Sequence, residues 1–143
     1  IMLGRFIAEK GYVLISGGRG GIMAAVSRGA SERGGTVVGI LPGDSLDGSN
    51  PYCAIVIPTG LGFARNAVNI LSADAVIAMG GRSGTLTEIG YARIYGKPII
   101  FCAFSGGWSS AFPRVEVDDH PRADEVIVHT IDEACRELVR LLG

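Results

Sequence analysis

Short apolar runs at 12–16 (YVLIS), 36–41 (TVVGIL), 74–79 (DAVIAM) and 98–103 (PIIFCA) constrain the fold of this chain more than any other feature. Each has the length of a strand and almost no polar alternation, the pattern of strands buried on both faces. Helical patterns lie between the runs: one from the loop after residue 16 to about Arg33, then Gly62–Ser72 and Thr85–Tyr95. Strands that alternate with helices pair in parallel through right-handed crossovers. The expected fold class is therefore α/β, a single doubly wound, mostly parallel Rossmann-like sheet with helices on both faces. Ala54–Ile57 adds a short strand and Glu125–His129 an edge strand. Ile131–Leu142 reads as a final amphipathic helix begun by Thr130. The polar stretch 43–52 reads as a loop, and 104–124 as the longest irregular segment.

The length of 143 residues fits one domain over 1–143, and 48% hydrophobic residues supply its core. Thirteen Lys and Arg against fourteen Asp and Glu leave a net charge of −1 and no basic stripe. Nucleic-acid backbone binding is excluded on that ground. No run approaches membrane-spanning length and no signal peptide is evident, so the expected location is the cytoplasm. Cys53, Cys102 and Cys135 are odd in number and free of CxxC spacing; they read as reduced thiols, with Cys102 and Cys135 buried. His120 and His129 stand apart from other ligand types, and no metal site is expected. The opening IMLGRFIAEKG looks like the second half of an amphipathic helix closed by a glycine C-cap, so a preceding strand is expected to be missing from this sequence.

The 22 glycines are about twice the usual share and gather at turns. Two glycine loops follow apolar runs: Gly17-Gly18-Arg19-Gly20-Gly21-Ile22-Met23, and Gly80-Gly81-Arg82-Ser83-Gly84-Thr85. A glycine turn from strand to helix lets backbone approach a ligand and aims helix N–H groups at an anion, most often phosphate. The first loop is not a dinucleotide fingerprint, since Met23 stands where a third glycine belongs, and neither loop carries the Gly-Lys-Ser/Thr of a Walker A loop. The candidate ligand-binding residues are Gly17, Gly18, Gly20, Gly21, Met23, Asn66, Gly80, Gly81, Ser83, Gly84 and Thr85. Glu88 in the first turn of the second helix is a candidate catalytic acid. Thr85-Leu86-Thr87-Glu88 also has the form of a capping box, which would make Glu88 a structural cap instead. Arg65, on a mostly apolar helix, offers a fork of donors for orienting a ligand.

The order and spacing of Gly17-Gly18-x-Gly20-Gly21, Arg65-Asn66 and Gly80-Gly81-x-x-Gly84-Thr85-x-x-Glu88 resemble the LONELY GUY (LOG) type proteins, formerly called lysine decarboxylase-like, over roughly residues 12–103. That resemblance implies a Rossmann-like fold, a homodimer or larger homo-oligomer, and release of the base from nucleoside 5′-monophosphates, with Glu88 and Arg65 in catalytic roles. The family's enzymes carry Arg-Lys and a proline where this chain has Arg65-Asn66 and Met79. In this the chain is similar to a short subgroup that includes molybdenum-cofactor carrier proteins. No cofactor is required for the hydrolase reading. The bound small phosphorylated ligand would be a nucleoside monophosphate or the molybdenum cofactor, and the alternatives of hydrolase, carrier and nucleotide sensor stay open. Lysine decarboxylation is unsupported: Lys10 and Lys97 are the only lysines, and neither lies in a pyridoxal-phosphate motif.

Overall fold

The computed structural model describes residues 1–115 and 124–143. They form two compact units, Ile1–Asn69 and Ile70–Gly143. The α/β, Rossmann-like class holds, and each unit carries a three-stranded parallel sheet.

In the first unit, α1 (Met2–Glu9) leads to β1 (Leu14–Ser16), α2 (Ile22–Glu32), β2 (Val37–Leu41) and β3 (Ile55–Pro58). A 3₁₀ turn at Gly62–Ala64 runs directly into α3 (Arg65–Leu71). Sheet order is β1-β2-β3, with Leu14 beside Val37 and Val38 beside Ile55. Val37, Ile40 and Leu41 are buried, as an unalternating run predicts. The strand at 55–58 departs from that expectation: Ile55 and Ile57 are exposed, because β3 lies at the edge of its sheet. Helices α1 and α2 approach closely through small residues. A Cβ on Gly4 would lie 2.0 Å from the Val26 carbonyl oxygen, and one on Gly29 2.1 Å from the Ile1 carbonyl oxygen.

The second unit has β4 (Val76–Met79), α4 (Ser83–Ile94), β5 (Ile99–Cys102), α5 (Gly107–Ala111), β6 (Glu125–Val128) and α6 (Ile131–Leu142). Its sheet order is β4-β5-β6. Every residue of β5 is buried, and Ile99 and Phe101 join Ala78, Ile89, Ala92 and Phe112 in one core. Burial pushes the Cys102 thiol up to about 12, with Cys135 adding to it, so Cys102 is an inert core residue. Cys135, expected to be buried, is half-buried. At the end of α4, Arg93 donates to Glu125 Oε1 and Oε2 (2.8 and 3.1 Å) and lies over the Phe112 ring, 4.4 Å from its centroid. This buried, bidentate pair ties α4 to β6.

The irregular segment expected at 104–124 is corrected in part. Residues 103–105, 107–111 and 112–114 are short helical turns, each too brief to show a period. Residues 116–123, with His120, lie outside the described residues. No helix among those described is long and apolar enough to cross a membrane.

Two substitutions test this packing. Gly4→Ala forces a methyl group into the α2 backbone and is expected to destabilise by about 3 kcal/mol or more. Glu125→Ala leaves Arg93 buried without its carboxylate and should cost about 3–5 kcal/mol. Urea unfolding followed by circular dichroism measures both.

Candidate functional site

The first glycine loop joins β1 to α2. The Ser16 hydroxyl accepts the Gly18 N–H (3.1 Å), starting the turn. Gly18 has φ +71°, a left-handed conformation, and packs so close to β2 that a Cβ would lie 3.0 Å from Gly39 Cα. Gly21, at φ +66°, caps α2 with backbone alone. The first-turn N–H groups of α2 therefore point out of the helix with no capping side chain. Arg65, the first residue of α3, reaches this loop. A Cβ on Gly17 would sit 2.6 Å from Arg65 Nη2 and 3.0 Å from Met23 Sδ. Gly17, Met23 and Arg65 thus come together. Asn66 is buried behind them, and its side-chain oxygen accepts from the Arg65 guanidinium.

Sequence reasoning passed over Asn50, reading 43–52 only as a polar loop. Asn50 is 7% exposed. Its backbone N–H donates to the Gly18 carbonyl (2.7 Å), and its side-chain Nδ2 to the Arg19 carbonyl (3.0 Å). The one available signal was Asn50-Pro51, a pair that favours a fixed turn.

The second loop joins β4 to α4. Gly80 (φ +59°) and Gly81 (φ +110°) make a turn that only glycine adopts easily. The Gly80 N–H donates to Ser105 Oγ (2.7 Å), and Ser105 donates in turn to the Cys102 carbonyl. The Gly80 carbonyl accepts from Ser109 Oγ (2.8 Å) and from the Ser109 N–H (3.1 Å). Trp108 N–H donates to the Gly81 carbonyl (3.3 Å). Gly107 allows this approach, since its Cβ would fall 2.6 Å from the Gly81 carbonyl oxygen. Both polar groups of Gly80 are therefore engaged by protein. Ser83, Gly84 and Thr85 form the first turn of α4. Arg82 and Ser83 are exposed, so this end of α4 is open to solvent. Ser105, Gly107 and Ser109 were missed because they lie in the segment read as irregular.

Helix α4 begins at Ser83, two residues before the expected start, and no side chain caps it. Glu88 accordingly sits in the second turn, half-buried, and the Thr85–Glu88 capping box does not form. Thr85 packs against Gly81 instead, and Thr87 Oγ1 donates to the Gly84 carbonyl (2.6 Å). Among the described residues, no group of three or more His, Cys, Asp or Glu could hold a metal ion.

The model of the SLOG cluster4 family matches residues 1–135. The chain belongs to the SLOG cluster4 family. It is 30% identical to a probable cytokinin riboside 5′-monophosphate phosphoribohydrolase of Oryza sativa subsp. japonica, over 90% of this chain and 58% of that protein. An uncharacterised protein of Archaeoglobus fulgidus is 47% identical over 68% of this chain and 64% of its own. This chain thus spans less than two thirds of the length of these curated relatives. Among solved structures, a molybdenum cofactor binding protein of Rippkaea orientalis superposes with a TM-score of 0.79 at 37% identity, covering 96% of this chain and 82% of that one. The molybdenum cofactor carrier protein of Chlamydomonas reinhardtii gives 0.83 at 31%, covering 99% and 84%. The resemblance to LOG-type proteins, molybdenum-cofactor carriers included, is borne out.

The two glycine loops of this SLOG chain are thus shaped by side chains outside them. Removing the Ser105 hydroxyl leaves the buried Gly80 N–H without its acceptor. Ser105→Ala should cost about 1–3 kcal/mol. The nearby Ser110→Ala should stay within about 0.5 kcal/mol. Paired denaturant titrations of the two variants give the comparison.

Proposed function

We propose that this chain binds a small phosphorylated ligand at its glycine loops, and that the ligand is a pterin phosphate of the molybdenum-cofactor type, carried without cleavage. The observation that carries this reading is the pair Arg65-Asn66. Where the resemblance places a lysine in the phosphoribohydrolases, this chain has an amide, 2% exposed, whose oxygen accepts from the Arg65 guanidinium. That amide supplies no second cation; it orients the first. Arg65 then serves as an anion-binding fork beside the Gly17 turn rather than as part of a catalytic pair. The solved structures named for binding or carrying the molybdenum cofactor support the same class of cargo.

In this reading each loop is a phosphate-holding turn by itself: the first offers the amides of Gly20, Gly21 and Met23, and the second those of Gly81, Ser83 and Thr85. Both helix starts add the positive end of a dipole. Gly17, Gly18 and Gly80 contribute shape, which lets backbone and guanidinium come close, and their small size admits the ligand.

A second reading, hydrolysis of the N-glycosidic bond of nucleoside 5′-monophosphates, is favoured by Glu88. Because the capping box does not form, this half-buried carboxylate is not a helix cap. In a hydrolase it would stabilise the developing oxocarbenium ion and position water. The rice relative supports this alternative.

The deciding experiment incubates the purified protein with AMP and other nucleoside monophosphates and assays free base. In parallel, molybdenum and pterin that copurify with the protein are measured. The carrier reading expects no base release and retention of the pterin. Base release that disappears in Glu88→Gln, with AMP binding retained, would assign the hydrolase instead. We further propose a homodimer or larger homo-oligomer. Leu61, Phe63 and Leu71 along 61–71, and Ile94 and Tyr95 at the end of α4, leave large apolar surface exposed. Light scattering at micromolar concentration should report more than one chain, and a monomer overturns this.

A further inference from the structure

The conformation of the first glycine loop depends on one side chain from a distant loop. Asn50 bonds the Gly18 carbonyl through its backbone N–H and the Arg19 carbonyl through Nδ2. In a planar trans peptide, the N–H that follows a carbonyl points the opposite way. Two consecutive carbonyls held on the Asn50 side therefore turn two consecutive N–H groups, those of Arg19 and Gly20, to the other side. Neither N–H donates to any described residue. The left-handed Gly18 beside them completes the kind of backbone concavity that receives an anionic oxygen.

Asn50 is itself fixed. Its Oδ1 accepts the Tyr52 N–H (3.1 Å) and the Cys53 thiol (3.5 Å). Since Oδ1 faces these donors, Nδ2 must face Arg19, and the amide cannot flip without losing its bonds to Tyr52 and Arg19. Pro51 disfavours the helical region for the Asn50 backbone.

We propose that Asn50 is the positioning residue of the first glycine loop: it presents the Arg19 and Gly20 N–H groups as a paired donor for one phosphate oxygen of the ligand. This rests on the reading that the loop receives a phosphorylated ligand. Aspartate at position 50 keeps an acceptor for Tyr52 but sets a carboxylate oxygen against the Arg19 carbonyl. Two acceptors repel, and the Arg19–Gly20 peptide is free to rotate.

The test compares wild type with Asn50→Asp, and with Asn50→Ala should the first not fold. Binding of AMP and of inorganic phosphate is measured by calorimetry. The orientation of the Arg19 and Gly20 N–H vectors is measured by residual dipolar couplings in the full chain. We expect affinity to fall by about tenfold or more, as for loss of a charge-assisted hydrogen bond, with both vectors rotated while couplings elsewhere hold. Affinity within about twofold of wild type overturns the proposal and leaves the ligand reading standing. Weaker binding with unrotated vectors also overturns it, since Asn50 would then act only through stability. A wild-type protein that binds neither probe overturns the ligand reading and this proposal with it. The couplings then still report whether Asn50 sets the peptide orientation.

Discussion

Peptide orientation at two strand-to-helix turns is the constraint on which the proposed function of this protein depends. A turn that exposes N–H groups to an anion must place its carbonyls elsewhere, and a buried carbonyl needs a donor. The chain meets this requirement with side chains far from each turn. Asn50 holds the carbonyls of Gly18 and Arg19; Ser109 and Trp108 hold those of Gly80 and Gly81. Glycine is then required for two reasons. Gly18, Gly80 and Gly81 adopt positive φ, and Gly17, Gly18 and Gly107 leave room for Arg65, Gly39 and the Gly80-Gly81 backbone respectively.

The rest of the fold serves that geometry. The buried strand β5 carries Cys102, whose carbonyl accepts from Ser105 just beyond it. The α4 helix is fastened at its far end by the Arg93–Glu125 pair. A helix fixed at its C-terminus and packed through Ile89 and Ala92 has little freedom to shift its N-terminal amides. Rigid placement of donors is what a site needs if it is to bind without reorganising.

Much of this was legible in the residues. Unalternating apolar runs located four of the six strands, the short runs at 54–57 and 125–129 located the other two, and Thr130-x-x-Glu133 marked the start of α6, where Thr130 accepts the Glu133 N–H. The same spacing at Thr85–Glu88 misled, because a Thr-x-x-Glu pattern says nothing of the backbone before it. There the Gly81-Arg82 turn already enters the helix at Ser83, which carries Thr85 and Glu88 past the capping positions. Glycine loops announced themselves by composition, and Arg65 by its charge on an apolar helix. Asn50, Ser105 and Ser109 carried no such mark. Polar residues in polar segments are ordinary, and their roles come from tertiary bonds that span 25 to 31 residues.

Those long spans have a kinetic consequence. Neither turn can take its final form from local sequence alone. The first waits for the segment at Asn50, and the second for the strand and serines beyond residue 98. A chain emerging during synthesis, or one locally unfolded at 103–109, therefore has the glycines but not the donor geometry. Under the proposed function, ligand capture would report that folding is complete, with a seat offered only by chains that have finished building one.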